Sequence, residues 1–173
     1  MTGLTTRPLT PADAPLFAAL RREALLDTPH AFSNTPEEDR PVEDTARSLA
    51  GPNYAIIGAF EDTSDPPRLV GIAGLIREPR LKLSHIATIW GVYVTPTHRS
   101  RGIAASLIAH ALDTARSWPG LIRVRLSVSS GCPAAQRVYE RAGFRAWGTE
   151  PDGLRHQGAS YDEVYLSLAL SPR

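Results

Sequence analysis

Two arginines and a glycine lie between a strand-like segment and a helix-like one. The apolar strand pattern ends at Val94, the helical pattern is established by Ile103, and Arg99, Arg101 and Gly102 lie between them. Backbone N–H groups at a helix start lack intrahelical partners, and the helix dipole favours an anion there. Glycine lets a ligand approach the backbone, and arginine offers a planar fork of donors that matches a phosphate. The loop therefore predicts a phosphate site, with an ordinary loop of solvated arginines as the alternative.

Other reactive side chains are few. Cys132 is the single cysteine, so neither an intrachain disulfide nor a cysteine-rich zinc site can form within the chain. An unperturbed histidine side chain has a pKa of about 6.5, which suits proton transfer, so His85 is a candidate for that role. The alternative is a surface histidine at a strand end. No His/Asp/Glu spacing indicates a metal, so we expect a site without one.

Hydrophobic periodicity divides the chain into strands and helices. The strand-like segments are residues 4–8, 54–60, 69–76, 85–94, 121–128, 144–148 and 161–170. The helical segments are residues 10–27, 35–49, 101–115 and 133–142. Turn residues fill 62–67, and 151–160 is a polar loop that contains glycine.

The order of these elements is β-α-α-β-β-β-α-β-α-β-β. Hairpins mixed with helical crossovers favour a mixed, partly antiparallel sheet over a doubly wound parallel one. We expect an α/β (α+β) fold whose central sheet has about six to seven strands, flanked by about four helices. The 173 residues suffice for one domain, so we assign residues 1–173 to a single domain.

Composition argues against several classes of protein. A net charge of +1, with 42% hydrophobic and 21% charged residues, is typical of a globular protein with no strong field for nucleic acid. No apolar run approaches the roughly 20 residues that span a bilayer, and the N-terminus lacks a signal-peptide pattern. We expect a cytoplasmic protein that binds neither nucleic acid nor a membrane.

The loop after Val94 also carries a family motif. Arg99-x-x-Gly102-x-Ala104 resembles the acetyl-CoA signature Q/R-x-x-G-x-G/A of the GNAT superfamily of N-acetyltransferases. The resemblance implies that backbone amides of the loop hold the CoA pyrophosphate, and that Val92 and Val94 offer backbone hydrogen bonds to the pantetheine arm. The cofactor-binding residues implied by this motif are Val92, Tyr93, Val94, Arg99, Ser100, Arg101, Gly102, Ile103, Ala104 and Ala105.

A second motif follows one helix and one strand later. The segment from Cys132 to Phe144 looks like the family element N-x-x-A-x-x-L-Y-x-x-x-G-F. The resemblance implies that Tyr139 lies beside the CoA sulfur and that Ala135 and Cys132 belong to the cofactor site. Cys132 replaces the usual Asn, and a thiol is a poor donor, so the pantetheine contact is weaker here or comes from a neighbouring serine or the backbone. Cys132 is either a packing residue or the carrier of an acyl-cysteine intermediate.

Together the motifs imply transfer of an acetyl group from acetyl-CoA to a primary amine of a small molecule or peptide, by direct attack in a ternary complex. Tyr139 is expected to donate a proton to the thiolate, and a backbone N–H near Val92 to stabilise the oxyanion. His85 is the candidate base, and Glu150, Asp162 and Glu163 could recognise a cationic amine. A water relay to a distant carboxylate is the alternative to these residues. A non-catalytic acetyl-CoA-binding regulatory module is the alternative function, and the resemblance is compatible with a homodimer.

Overall fold

The structure is a computed structural model that describes residues 3–62 and 66–170. The strands in this part of the chain are β1 (Leu4–Pro8), β2 (Tyr54–Glu61), β3 (Arg68–Arg77), β4 (Ile86–Val94), β5 (Arg123–Ser129), β6 (Arg145–His156) and β7 (Ala159–Ala169). The α-helices are α1 (Ala14–Asp27), α2 (Val42–Leu49), α3 (Ile103–Ser117) and α4 (Pro133–Arg141).

The strands form one sheet in the order β1-β2-β3-β4-β5-β7-β6. Neighbours pair in an antiparallel sense except β4 and β5, which are parallel and are connected through α3. Parallel neighbours need a long crossover, and α3 provides it. The mixed sheet predicted from the element order is therefore confirmed.

β4 and β5 separate soon after they meet. Their pairing joins residues 86–88 to residues 123–125 and extends no further within the described residues. From Ile89 to Val94, the edge of β4 that faces β5 has no strand partner there, so its backbone groups are available to a ligand. The two strands therefore open a wedge in the middle of the sheet.

Two apolar cores hold the helices against the sheet. On one face, α3 buries Leu107, Ile108 and Ala111 against β2, β3 and β4, in an apolar cluster that extends to Val124 and Leu126 of β5. On the other face, α1 buries residues against β2, β3 and the end of β4, among them Phe17, Leu20, Ile56, Ile72 and Tyr93. α3 and α4 thus lie on one side of the wedge, and α1 and α2 on the other.

The helix predicted over residues 35–49 is interrupted. A 3₁₀ turn covers Pro36–Glu38, the chain is extended at Asp39 and Pro41, and α2 begins only at Val42. Pro41 has no N–H for a helical hydrogen bond, and its ring biases the preceding residue towards extended backbone. The prediction of one continuous helix was wrong because it passed over this proline.

The prediction of a polar loop over residues 151–160 was also wrong. β6 continues to His156, and the chain then turns at Gln157 and Gly158 into β7. Both turn residues have positive φ, 48° and 80°, as a tight hairpin turn requires. β6 is the edge strand, where Pro151 needs no ladder partner, and the register shifts between Glu150 and Leu154. The turn predicted over residues 62–67 lies partly outside the described residues.

Candidate active site

A cavity of about 950 Å³ occupies the side of the wedge next to α3 and α4. It runs from the loop that precedes α3, along the free edge of β4, to α4. Of the residues predicted for the site, all but Arg101 and His85 line it: Val92, Tyr93, Val94, Arg99, Ser100, Gly102, Ile103, Ala104, Ala105, Cys132, Ala135 and Tyr139. Two sequence motifs about 30 residues apart therefore meet on one surface.

A smaller pocket of about 80 Å³ continues from this cavity into the wedge. The two share Val92, Cys132 and Tyr139. The small pocket is lined by both Leu126 and Ser127, and adjacent residues of a strand face opposite sides of a sheet. The pocket therefore crosses the sheet and connects the cavity with the face that carries α1 and α2.

The start of α3 has the geometry of an anion site. Gly102 is the N-cap residue with φ +78°, and no side chain in the described part of the chain caps this end. The first intrahelical bond is donated by Ser106 to the Gly102 carbonyl, so the preceding N–H groups, from Ile103 to Ala105, have no intrahelical acceptor. These residues line the cavity, where the helix dipole adds partial positive charge.

Arg99 lines the cavity and is also bonded to neighbouring protein groups. Its guanidinium pairs with Asp27 at the end of α1, and its Nε donates to the Val94 carbonyl at 3.0 Å. It also lies over the Tyr93 ring, 5.5 Å from the centroid. The side chain thus holds the loop in place and uses part of its fork of donors to do so. Arg101, unlike Arg99, does not line the cavity.

Two arginines that the sequence analysis missed do line the cavity. Arg116 is in the last turn of α3, where Asp113 pairs with it at 2.8 Å, and Arg141 ends α4. Their positions on the cavity side of two helices could be found from sequence only by knowing how α3 and α4 pack. Positive charge at the cavity therefore comes from the signature residue Arg99, from helix ends and from two arginines outside the signature.

Tyr139 lies where the large cavity meets the small pocket. Only 6% of the residue is exposed, and its ring packs edge-on against Phe144 with centroids 6.3 Å apart. Burial, with a smaller contribution from Cys132, raises the pKa of the Tyr139 phenol well above its ordinary value. The hydroxyl is therefore a neutral proton donor at physiological pH.

Cys132 is half-buried at the N-cap of α4. Burial raises the pKa of its thiol, so the thiolate is disfavoured at neutral pH. A nucleophilic cysteine needs the opposite shift, which favours the packing interpretation over the acyl-cysteine one.

A bulge in β4 shapes the inner end of the wedge. Gly91 has φ +63°, a backbone conformation that glycine adopts without strain, and the pairing with β3 shifts register beside it. On one side of the bulge Trp90 packs with the α1 core, and on the other Val92 packs with the α3 core. Tyr93 sends its ring to the α1 side, where its hydroxyl donates to Glu23 at 3.1 Å, so it offers the cavity only its backbone.

His85 is far from this site. It precedes β4, and Val92 lies seven residues further along, about 20 Å at the rise of a strand. The His85 carbonyl accepts hydrogen bonds from the N–H groups of Ile122 and Arg123, where β4 and β5 are still joined. The structure therefore does not bring the predicted base to the cavity.

One of the three predicted acidic residues, Glu163, is bonded to a residue that lines the small pocket but does not line the pocket itself. Ser127 lines that pocket, and its hydroxyl donates to Glu163 Oε1 at 2.6 Å across β5 and β7. Glu150 instead accepts from the Tyr165 hydroxyl at 2.6 Å, which raises the pKa of Tyr165 to about 12. Asp162 accepts from the Asp152 backbone at 3.0 Å within the bulged hairpin.

Among residues 3–62 and 66–170, no group of three His, Cys, Asp or Glu side chains could hold a metal ion. Within the same ranges, no helix is long and apolar enough to cross a bilayer.

Comparison with known proteins shows the family to which the chain belongs. The family model "Acetyltransferase (GNAT) family" matches residues 17–144. An uncharacterized N-acetyltransferase of Mycobacterium tuberculosis is 35% identical over 125 residues, 71% of each chain. Two solved structures share the fold. One is an acetyltransferase of the GNAT family from Streptococcus pneumoniae, with TM-score 0.85, 20% identity and coverage of 97% of this chain and 100% of that one.

The other is a putative acetyltransferase from Salmonella typhimurium, solved with its cofactor acetyl-CoA, with TM-score 0.84, 19% identity and coverage of 99% and 96%. The chain therefore belongs to the GNAT family of acetyltransferases. The prediction of an acyltransferase is confirmed.

Proposed function

We propose that this chain transfers the acetyl group of acetyl-CoA to a primary amine of a small molecule or peptide, by direct attack in a ternary complex. One observation carries the proposal: a single cavity connects the uncapped start of α3, the free edge of β4 and the Tyr139 hydroxyl. These are an anion site, a row of backbone hydrogen-bonding groups and a proton donor. The pyrophosphate, amide-bearing arm and thioester of acetyl-CoA occur in the same order. We assign the activity to residues 1–173 as a single domain.

The anion site suits the pyrophosphate. Backbone N–H groups from Gly102 to Ala105 donate to its oxygens, and each charge-assisted bond is worth about 1.5–3 kcal/mol. Along the wedge, the pantetheine amides replace the strand partner that β4 lacks beyond Thr88. The thioester then lies between Val92 and Tyr139, where the cavity meets the small pocket.

The acceptor enters from the opposite face through the small pocket. Its neutral amine attacks the thioester carbon, and a backbone N–H near Val92 at the Gly91 bulge stabilises the oxyanion. When the tetrahedral intermediate collapses, the C–S bond breaks and the Tyr139 hydroxyl gives its proton to the leaving thiolate. Because the raised pKa makes full transfer costly, a strong hydrogen bond to the sulfur supplies part of this stabilisation.

The proton of the attacking amine passes to Glu163 through Ser127. The Ser127 hydroxyl lines the pocket and already donates to the Glu163 carboxylate. It therefore accepts a proton from the ammonium as its own proton moves to Glu163. Ser127 contacts the acceptor in this arrangement, and Glu163 acts through it.

Gly102→Trp tests the cofactor site and has a matched control. Gly102 and Gly158 have nearly the same φ, +78° and +80°, and neither has an atom within 4 Å of an added Cβ. Gly158→Trp therefore carries the same backbone strain in the β6–β7 turn, away from the cavity. By calorimetry, the wild type and Gly158→Trp should bind acetyl-CoA equally well, and Gly102→Trp should bind at least about tenfold more weakly.

Measuring CoA release with a panel of amines then distinguishes an enzyme from a non-catalytic binding module. Turnover by wild type and Gly158→Trp, and its loss in Gly102→Trp, would support the proposal. Binding of acetyl-CoA without turnover of any amine would favour the regulatory module. Absence of binding by folded wild type would overturn both.

A further inference from the structure

Arg21 of α1 carries a buried donor with no acceptor in the described part of the protein. The residue is 5% exposed, and its Nη1 has no hydrogen-bond partner. Its Nε contacts Asp39 Oδ1 at 3.4 Å, a long contact for a charged pair. Buried polar groups in folded proteins are almost always hydrogen-bonded, and a charged one left unpaired is costly. The Arg21 guanidinium thus has one buried N–H group that no acceptor in the described residues satisfies.

The neighbours of Arg21 do not satisfy that donor. The guanidinium carbon lies 4.9 Å from the Phe32 ring centroid and 5.9 Å from that of Trp90. These aromatic faces attract the cation but offer no hydrogen-bond acceptor of ordinary strength. Trp90 itself has a buried Nε1 without a partner in the ranges that the structure covers. Two N–H donors are therefore unsatisfied in one small region.

This region borders the small pocket. Phe32, Trp90 and Gly91 all line it. Arg21 Nη1 lies 3.4 Å from the point where a Cβ would project from Gly91, the residue of the β4 bulge. Gly91 precedes Val92, beside which the thioester lies in the proposed reaction. The unsatisfied guanidinium is therefore on the acceptor side of the sheet, directly behind the pocket-lining residues Phe32, Trp90 and Gly91, and next to the proposed position of the thioester.

We propose that the acceptor carries a carboxylate a few bonds from its reacting amine, and that Arg21 binds this carboxylate. The inference rests on the proposed acetyltransferase function and specifies its substrate class. A carboxylate accepts two parallel N–H bonds from a guanidinium, and the Phe32 and Trp90 rings hold the guanidinium plane in position. The acceptor's ammonium group then faces Ser127 and Glu163. The carboxylate and the ammonium of an amino acid thus each meet a group of opposite charge. A free amino acid and a short peptide with a nearby acidic group present the same chemistry.

Matched acceptors test this directly. Each amino acid is compared with its own carboxamide, alongside acidic dipeptides and diamines, by CoA release under saturating acetyl-CoA. Wild type should prefer a carboxylate over its carboxamide by on the order of 100-fold in kcat/KM, the consequence of leaving a buried charge unpaired. The free amino acids and the dipeptides distinguish the two sources of the carboxylate.

Variants connect that preference to Arg21. Arg21→Gln should lower the preference to about threefold or less, with Arg21→Lys intermediate because an ammonium lacks the planar fork. The acetyl-CoA Kd should stay unchanged in both, which also shows that the variant is folded. Arg40→Gln is the control, since Arg40 lies over Tyr54 on the same side of the protein but directs its hydrogen bonds to Asp44 and Ser48 of α2.

The outcomes separate the two proposals. Turnover of diamines or carboxamides at rates equal to or above those of the carboxylates would overturn the role of Arg21 and leave the acetyltransferase function standing. A preference that survives in Arg21→Gln would also overturn it. If Arg21→Gln does not fold, the wild-type ratio and Arg21→Lys decide. Absence of turnover with every amine would overturn the proposed function, and this inference with it.

Discussion

The guanidinium of Arg99 pairs with the carboxylate of Asp27, and this ion pair joins the loop before α3 to the last residue of α1. The two residues are 72 positions apart in sequence. Arg99 also donates to the Val94 carbonyl, so one side chain links the end of β4, the loop and α1. We propose that Arg99 supports cofactor binding by holding the N–H groups of the loop in place.

Asp27→Asn should therefore weaken acetyl-CoA binding although it removes a negative charge. An exposed ion pair is worth up to about 1 kcal/mol, so we expect a two- to fivefold rise in Kd by calorimetry. Arg99→Met should have a similar effect, and the double variant should be little worse than either single one. Asp44→Asn, which breaks a pair on α2, is the control. Tighter binding by Asp27→Asn would mean that Arg99 contacts the phosphate directly.

Tyr139→Phe should lower kcat by about 100-fold, because it removes the proton donor to the thiolate. The acetyl-CoA Kd should change by less than about threefold, since phenylalanine keeps the packing against Phe144. The raised pKa keeps the wild-type phenol protonated, so Tyr139 should add no alkaline limb to the kcat profile below about pH 10. A wild-type kcat in Tyr139→Phe would refute the assignment.

Glu163→Gln and Ser127→Ala should each lower kcat/KM by about 100-fold at neutral pH. Because the two residues form one relay, the double variant should fall no further than the worse single variant. Asp162→Asn, at the neighbouring position, should leave kcat/KM unchanged when CoA release is followed with the same amine. A wild-type kcat/KM in Glu163→Gln would place the base elsewhere.

Cys132→Ser should retain kcat within about threefold, and intact-mass measurement should find no acetylated wild-type protein with acetyl-CoA alone. Since burial raises the thiol pKa, alkylation by iodoacetamide should be slow at pH 7 and accelerate as the pH rises above about 8.5. Acetyl-CoA should protect the thiol, because Cys132 lines the cavity. An acetyl adduct that an amine discharges would establish the covalent route instead.

Residues whose role depends on local backbone could be predicted from sequence. Gly102 follows a strand and opens a helix, and the structure indeed gives it positive φ at an uncapped helix start. The same holds for Gly143, which closes α4 with φ +100°. Pro41 is also a local indication, because a proline disfavours helical backbone before it. The prediction of a continuous helix across Pro41 did not take this into account.

Residues whose role depends on long-range packing could not be predicted in this way. The partner of Arg99 is 72 residues away, and the hydrogen bond from Ser127 to Glu163 spans 36 residues and requires the exact register of β5 on β7. His85 immediately precedes the strand that contains Val92, but the sequence does not show which end of β4 the wedge exposes. Pro151 and Gly153 are typical of a loop, and only the position of β6 at the sheet edge accounts for them in a strand.

The brief pairing of β4 with β5 has a mechanical consequence. Three residue pairs form the seam between β1–β4 on one side and β5–β7 on the other, whereas β5 and β7 share seven. A ligand that spans the wedge would contact both β1–β4 and β5–β7 and so hold the two parts of the sheet together. At a concentration 100 times its Kd it would add about 2.7 kcal/mol to the free energy of unfolding, and amide hydrogen exchange along residues 86–94 and 123–129 should slow accordingly. The opening that admits the cofactor is thus also the line along which the cofactor reinforces the sheet.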